Sequence, residues 1–256
     1  MSRFGTIWLA LALLASPCFA DGVSHLIDVL SVEQITGQGT LEYTQGANAE
    51  KITLGDPAGR YGYGMIFNGS MLPASVVSKF HHKHVLQFAL GTVRAKVGKQ
   101  VSQFASIAIL TSHLPVKKTL YRLVVPTGKE SPLSEMALMM FMAPEAMAQT
   151  SDEEKLRSTY FADTGSLSLE PQGEAKAVQV PTENGKLDFM MRMMKMRIET
   201  TLITPFNAQE NVLDGEITVP LYWPKSKEAE HFMDSIAHES LVGAAPVPMP
   251  LPPPSK

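Results

Sequence analysis

Beyond its first twenty residues the chain contains no cysteine, because the single one in the sequence is Cys18. No disulfide framework can hold the remaining residues and no thiol is on hand as a nucleophile, so stability has to come from a buried core. Long apolar runs are missing too. After residue 20 no stretch approaches about 18 uninterrupted apolar residues, which predicts a soluble mature chain without a transmembrane helix. Charged residues make up only 18% of the sequence and the net charge is −3. A mildly acidic chain has neither the electrostatic footprint for nucleic acid nor a polybasic run for anionic lipid.

Catalytic signatures are equally sparse. The sequence holds no Gly-x-Ser-x-Gly elbow, no His-Glu-x-x-His pair, no P-loop and no Rossmann glycine fingerprint. His238-Glu239 lacks the second histidine of a zinc helix. A hydrolase-type enzyme of unspecified chemistry is therefore the third-ranked reading.

What is present begins with an export signal. Arg3 precedes the apolar run Ile7 to Ala15, and Pro17-Cys-Phe-Ala20 places small residues at the −3 and −1 positions before Asp21. Residues 1–20 are thus expected to be a signal peptide cleaved after Ala20, which predicts a periplasmic or secreted protein. A chain of this size without disulfides suits a bacterial periplasm better than an animal extracellular space. Removing the signal takes Arg3 away and leaves 21 basic residues (22 less one) against 25 acidic ones.

From Gly39 onward short apolar segments alternate with turns: 40–44, 51–54, 59–67, 91–97, 103–111 and 119–125, the last ending at Pro126. This spacing predicts antiparallel strands, with Ala105, Ile107 and Ile109 on one face of theirs. Residues 135–143 are apolar on both faces, so they form either a central strand covered on both sides or a buried helical turn. Residues 144–158 read as a helical segment between two halves, and 226–241 as an amphipathic helix capped by Ser226 with Ala229, Phe232, Met233 and Ile236 inward. In 215–223, Ile217, Val219, Leu221 and Trp223 share a face. Pro220 lacks a ladder donor, which argues for an edge strand or a bulge there. Val23 to Leu30 is a short helix or a first strand. The proline-rich tail, 243–256, is expected to be extended and disordered.

Residues 184–202 carry two competing patterns. Asp188, Arg192, Lys195 and Glu199 recur at helical steps, whereas Thr182-Glu-Asn-Gly185 is a turn that would return the chain antiparallel to Ala177–Val180. An internal resemblance favours the strand. Thr36-Gly37, Leu41-Glu42, Gln45-Gly46, Lys51, Gly59-Arg60, Tyr63 and Met65 recur in order as Thr164-Gly165, Leu169-Glu170, Gln172-Gly173, Lys176, Gly185-Lys186, Phe189 and Met191. In the first copy the segment equivalent to the Met-rich stretch is rich in glycine and aromatics, poor for a helix and good for a strand. The predicted fold class is all-β, a mainly antiparallel sandwich or barrel built from two related halves, 21–143 and 159–242, with one or two peripheral helices.

Two constellations carry a hint of chemistry. His81, His82 and His84 put two imidazoles on one side of either a strand or a helix; a third ligand would have to come from His25, His113, His231 or His238. The methionines at 136, 139, 140, 142 and 147, and at 190, 191, 193, 194 and 196, offer soft thioethers of the kind that select Cu(I). The competing reading is core filling, since methionine packs irregular gaps. Met190, Met194 and Met196 would share one strand face, and burial of that face would make them core. The leading functional reading is therefore an exported, non-catalytic binding or structural module of the cell envelope with no cofactor, meeting a protein or small ligand through a sheet edge, a groove or a barrel mouth. The alternative is a periplasmic copper-binding protein.

Overall fold

The computed structural model describes residues 37–55, 60–68, 84–94, 100–124, 135–142, 159–182, 185–204 and 207–233. The expected signal peptide at 1–20, residues 23–30, the helix expected at 144–158, His81, His82, Met147 and the proline-rich tail lie outside them. Ten strands form one sheet: β1 Gln38–Gln45, β2 Asn48–Leu54, β3 Arg60–Asn68, β4 His84–Arg94, β5 Gln100–Thr111, β6 Thr119–Val124, β7 Met136–Met142, β8 Thr159–Thr182, β9 Gly185–Thr204 and β10 Asn207–Pro224. One short helix, α1, covers 227–233. The fold is all-β, as the turn punctuation predicts.

The sheet closes on itself. β10 pairs antiparallel with β9 along its length and parallel with β3 at Leu221 and Tyr222. From β3 the ladder continues antiparallel through β4, β5, β7 and β8 and returns to β9. Tracing partners from Leu221 through Gly64, Phe88, Ile107 and Met139, then the adjoining Ala162 and Leu202, leads back to β10 at Asn211 rather than at Leu221. Such a stagger is what a tilted-strand barrel requires. The β1–β2 hairpin pairs with the first part of β10, and β6 sits beside β8 and the start of β7.

Alternation along each strand fills the inside. Leu86, Phe88 and Leu90 from β4, Ile107 and Ile109 from β5, Met139 and Phe141 from β7, Met194, Met196 and Ile198 from β9, and Ile217, Val219 and Leu221 from β10 belong to one buried cluster. β3 contributes glycine to this face. A side chain at Gly62 would meet Leu90 and Val219, and one at Gly64 would meet Phe88 and Leu221. Large neighbours thus occupy the space that the two glycines leave, at crystal-like density.

A second buried cluster lies on the outer side of the same strands. It takes Tyr61, Tyr63, Met65 and Phe67 from β3, Leu110 from β5 and Leu138 from β7, together with Val180 and Phe189 from the β8–β9 hairpin and Ala229 and Met233 from α1. β7 is accordingly a central strand covered on both sides. Ser226 caps α1, its hydroxyl accepting from the Ala229 N–H at 3.2 Å, and Lys225 N–H donates to the Asp188 carbonyl at 3.0 Å. The Glu228 carboxyl is held below its usual range by hydrogen bonds from its own backbone N–H and from Ser226, with His231 adding charge.

Two local expectations resolve here. The Met-rich stretch is strand β9: Gly185 has φ 126 and pairs with Thr182, and Val178 and Val180 lie opposite Phe189 and Leu187. One of its helically spaced charges, Lys195, and its neighbour Arg197 two residues on serve as cross-strand partners. Lys195 Nζ lies 2.9 Å from Glu216 Oε1 and Arg197 lies 2.9 Å from Asp214 Oδ1. The Glu216 hydrogen bond and charge raise the Lys195 pKa. Pro220, by contrast, does not mark an edge. β10 has partners on both sides, and Pro220 falls between Thr218, the last residue paired with β1, and Leu221, the first paired with β3. A missing N–H is harmless in that gap.

All six tyrosines of the sequence are buried. Burial pushes the phenols of Tyr61, Tyr63 and Tyr222 above the usual tyrosine range of about 10. Their contribution to stability is complete below that range and lost as pH rises past it, because the unfolded chain releases these protons first. A spectrophotometric titration at 295 nm should therefore show phenolate appearing together with loss of the β circular-dichroism signal. Phenolate from more than three of the six tyrosines developing near pH 10 in a still-folded protein would contradict the packing of this outer cluster.

Candidate functional site

The histidine and methionine candidates do not converge among the described residues. His84 begins β4, half-buried, between Asn68 of β3 and Thr111 of β5. His113 is exposed in the loop after β5, and His231 is exposed on α1. Met194 and Met196 are 1% and 0% exposed inside the barrel, and Met190 is half-buried on the same strand face. That face is the inward one, and Met194 and Met196 pack in its core. No group of three or more His, Cys, Asp or Glu side chains is placed to hold a metal among the described residues.

Sequence reasoning missed the loop 112–118. β5 and β6 flank the start of β7, with Leu110 and Arg122 both opposite Met136, so the loop joining them arches over Glu135. Glu135 Oε1 accepts from the Thr111 hydroxyl at 2.9 Å and from the Ser112 N–H at 3.3 Å, and the His113 imidazole Nδ1 lies 3.8 Å away. Thr111 Oγ1 in turn accepts from the His113 N–H at 3.3 Å, and the Thr119 hydroxyl donates to the Lys117 carbonyl at 3.0 Å. Pro115 is buried beneath the arch. Tyr121 is buried beside Thr111 and Thr119, and burial raises its pKa.

A backbone tied down in this way presents its remaining side chains outward. Val116 is 80% exposed, Leu120 70% and Leu114 37%; these are three of the four large apolar side chains exposed among the described residues. Lys117, Lys118 and Arg122 are exposed around them. Chemically the arrangement is an exposed aliphatic patch bordered by cations. The only signal in the sequence was Leu114-Pro-Val-Lys-Lys118, a break in the strand alternation that sets two apolar aliphatic residues beside two lysines.

Buried polarity is concentrated elsewhere. Asn211 is 0% exposed, on the inward side of β10, and neither its Oδ1 nor its Nδ2 has a hydrogen-bond partner among the described residues. Leaving such atoms unpaired costs about 1–3 kcal/mol. Replacing Asn211 by Leu should therefore raise stability by about 1–2 kcal/mol, read as a shift in the urea midpoint at unchanged slope. A loss of stability instead would mean that the amide serves a partner. Gln87 on the outer face donates to Ser106, both buried, while its Oε1 is unpaired among the described residues.

Compared with protein-family models, characterised proteins and solved structures, the chain matches none of them.

Proposed function

We propose that this chain is a non-catalytic binding or structural module of the cell envelope that acts through its outer surface. The observation that supports this reading most directly is the filled barrel. Side chains from every strand of the ring meet inside it at near-zero exposure, so the described interior is core rather than a ligand chamber. Contact with a partner then falls to outer features: the β2 edge, which pairs only with β1 among the described residues, and the pinned loop 112–118. Lys51 on β2 discourages indiscriminate strand addition there, which leaves the loop as the better-formed surface.

Two measurements test the reading. The mature N-terminus should be Asp21 in an envelope fraction, and a cytoplasmic chain with residues 1–20 intact would refute export. Photo-crosslinkers placed one at a time at Val116, Lys51 and other exposed positions in living cells should give discrete adducts from at least one of them. Adducts from none would end the proposal.

A further inference from the structure

We infer that the β5–β6 loop, 112–118, together with the outer face of β6 is a docking surface for an anionic phospholipid bilayer. The inference rests on the surface-binding reading and names its partner class. Three observations carry it. The apolar side chains are aliphatic and sit on an arched crest rather than in a groove: Leu114 and Val116 in the loop and Leu120 at the start of β6. The cations Lys117, Lys118 and Arg122 surround them, and among the described residues none makes an ion pair. The crest is held in place from below by Glu135, so presenting it needs little further ordering.

The shape and chemistry favour lipid over a folded protein. Protein interfaces concentrate binding in aromatic and arginine anchors seated in fitted pockets; the exposed side chains of this crest include no Phe, Tyr or Trp, and its one arginine, Arg122, stands exposed. A bilayer needs no shape match. Short aliphatic side chains enter the headgroup boundary, and long lysine stems lie along apolar surface while their ammonium groups meet phosphate. Each Lys or Arg close to an anionic surface strengthens binding about fivefold, so three give reversible, salt-sensitive binding rather than anchoring. Among the described residues the acidic groups nearest the crest are Glu135 beneath it, already engaged with Thr111 and Ser112, Glu170 beyond Leu169, which acts on Lys195, and Glu199, one strand beyond the Ser166 that faces Arg122. A net charge of −3 over the chain keeps the rest of the molecule from competing for the same surface.

The test is co-sedimentation of the chain, purified as the cell processes it, with vesicles of phosphatidylcholine alone or mixed with phosphatidylglycerol. Binding to the mixed vesicles should fall at least tenfold in 0.5 M salt, in Lys117→Glu/Lys118→Glu and in Leu114→Ser/Val116→Ser, and should be at that low level on phosphatidylcholine alone. The four positions are exposed, so both variants should keep the wild-type circular-dichroism spectrum; a Glu50→Lys variant far along the chain should bind as wild type. No binding by the wild type, equal binding to both vesicle types, or wild-type binding by either loop variant would overturn the assignment. Protein adducts from position 116 in cells, with no vesicle binding, would sink the lipid assignment and leave the surface-binding module standing.

Discussion

Gly165→Val should cost at least about 3 kcal/mol of stability, while Gly173→Ala, eight positions along the same strand, should cost only about 1. Both glycines have positive φ, 154° and 63°. They differ in what surrounds them. A Cβ at 165 would press on the Glu199 carbonyl oxygen and lie 2.6 Å from Thr200 Cα, backbone atoms of the paired strand that can yield only if the β8–β9 ladder opens. The Thr200 hydroxyl bond to the Thr164 carbonyl, 2.8 Å, would go with it. At 173 a Cβ meets nothing within 4 Å, so only the backbone preference is lost. Urea denaturation of both variants decides the matter: equal losses would show that the close approach of the two strands at Gly165 carries no energy of its own.

The second large effect is expected at Met196. Truncation to Ala leaves a void among Leu169, Ile198 and Ile217, a residue cluster that cannot collapse without bending the barrel wall, and should cost about 2–5 kcal/mol. Met196→Leu conserves volume and should cost less than about 1.5 kcal/mol, as should Met194→Leu. Thermal unfolding of the three variants distinguishes a core from a thioether ladder. If Leu at these positions were as damaging as Ala, sulfur itself would be needed and the copper-binding reading would regain its footing.

Much of the fold was legible because alternation and turn residues act locally. Gly185 and its preceding Thr-Glu-Asn announced the β8–β9 hairpin, and Ile217, Val219 and Leu221 announced the inner face of β10. The Met-rich strand was harder, since Asp188, Arg192, Lys195 and Glu199 recur at helical steps, while Lys195 and Arg197, which meet Glu216 and Asp214 across the sheet, are spaced for a strand. Its burial followed from where those charges sit once the strand is granted. Pro220 misled for a different reason: which strands flank it on either side is a property of the closed ring, and no local window contains Thr218, Leu221 and Gly64 together.

The loop surface was illegible in a stronger sense. Net charge averages over the chain, so the grouping of Lys117, Lys118 and Arg122 disappears into −3. The arch depends on Glu135, which lies 24 residues from Thr111 and reaches it only because β7 inserts between β5 and β6. Val116 and Leu120 look like ordinary strand residues until their exposure is known.

Ring closure also fixes an order of events. β3 meets its second neighbour only when Leu221 and Tyr222 arrive, from the far end of the chain. Until then the inner faces of β3, β4 and β5 have no lid and β1 has no partner but β2. Contacts so distant in sequence form slowly, and a chain that emerges N-terminus first holds exposed strand edges throughout that wait. A chain that stops before Asn207 would carry those open edges permanently, so premature termination should yield aggregates rather than a smaller folded protein.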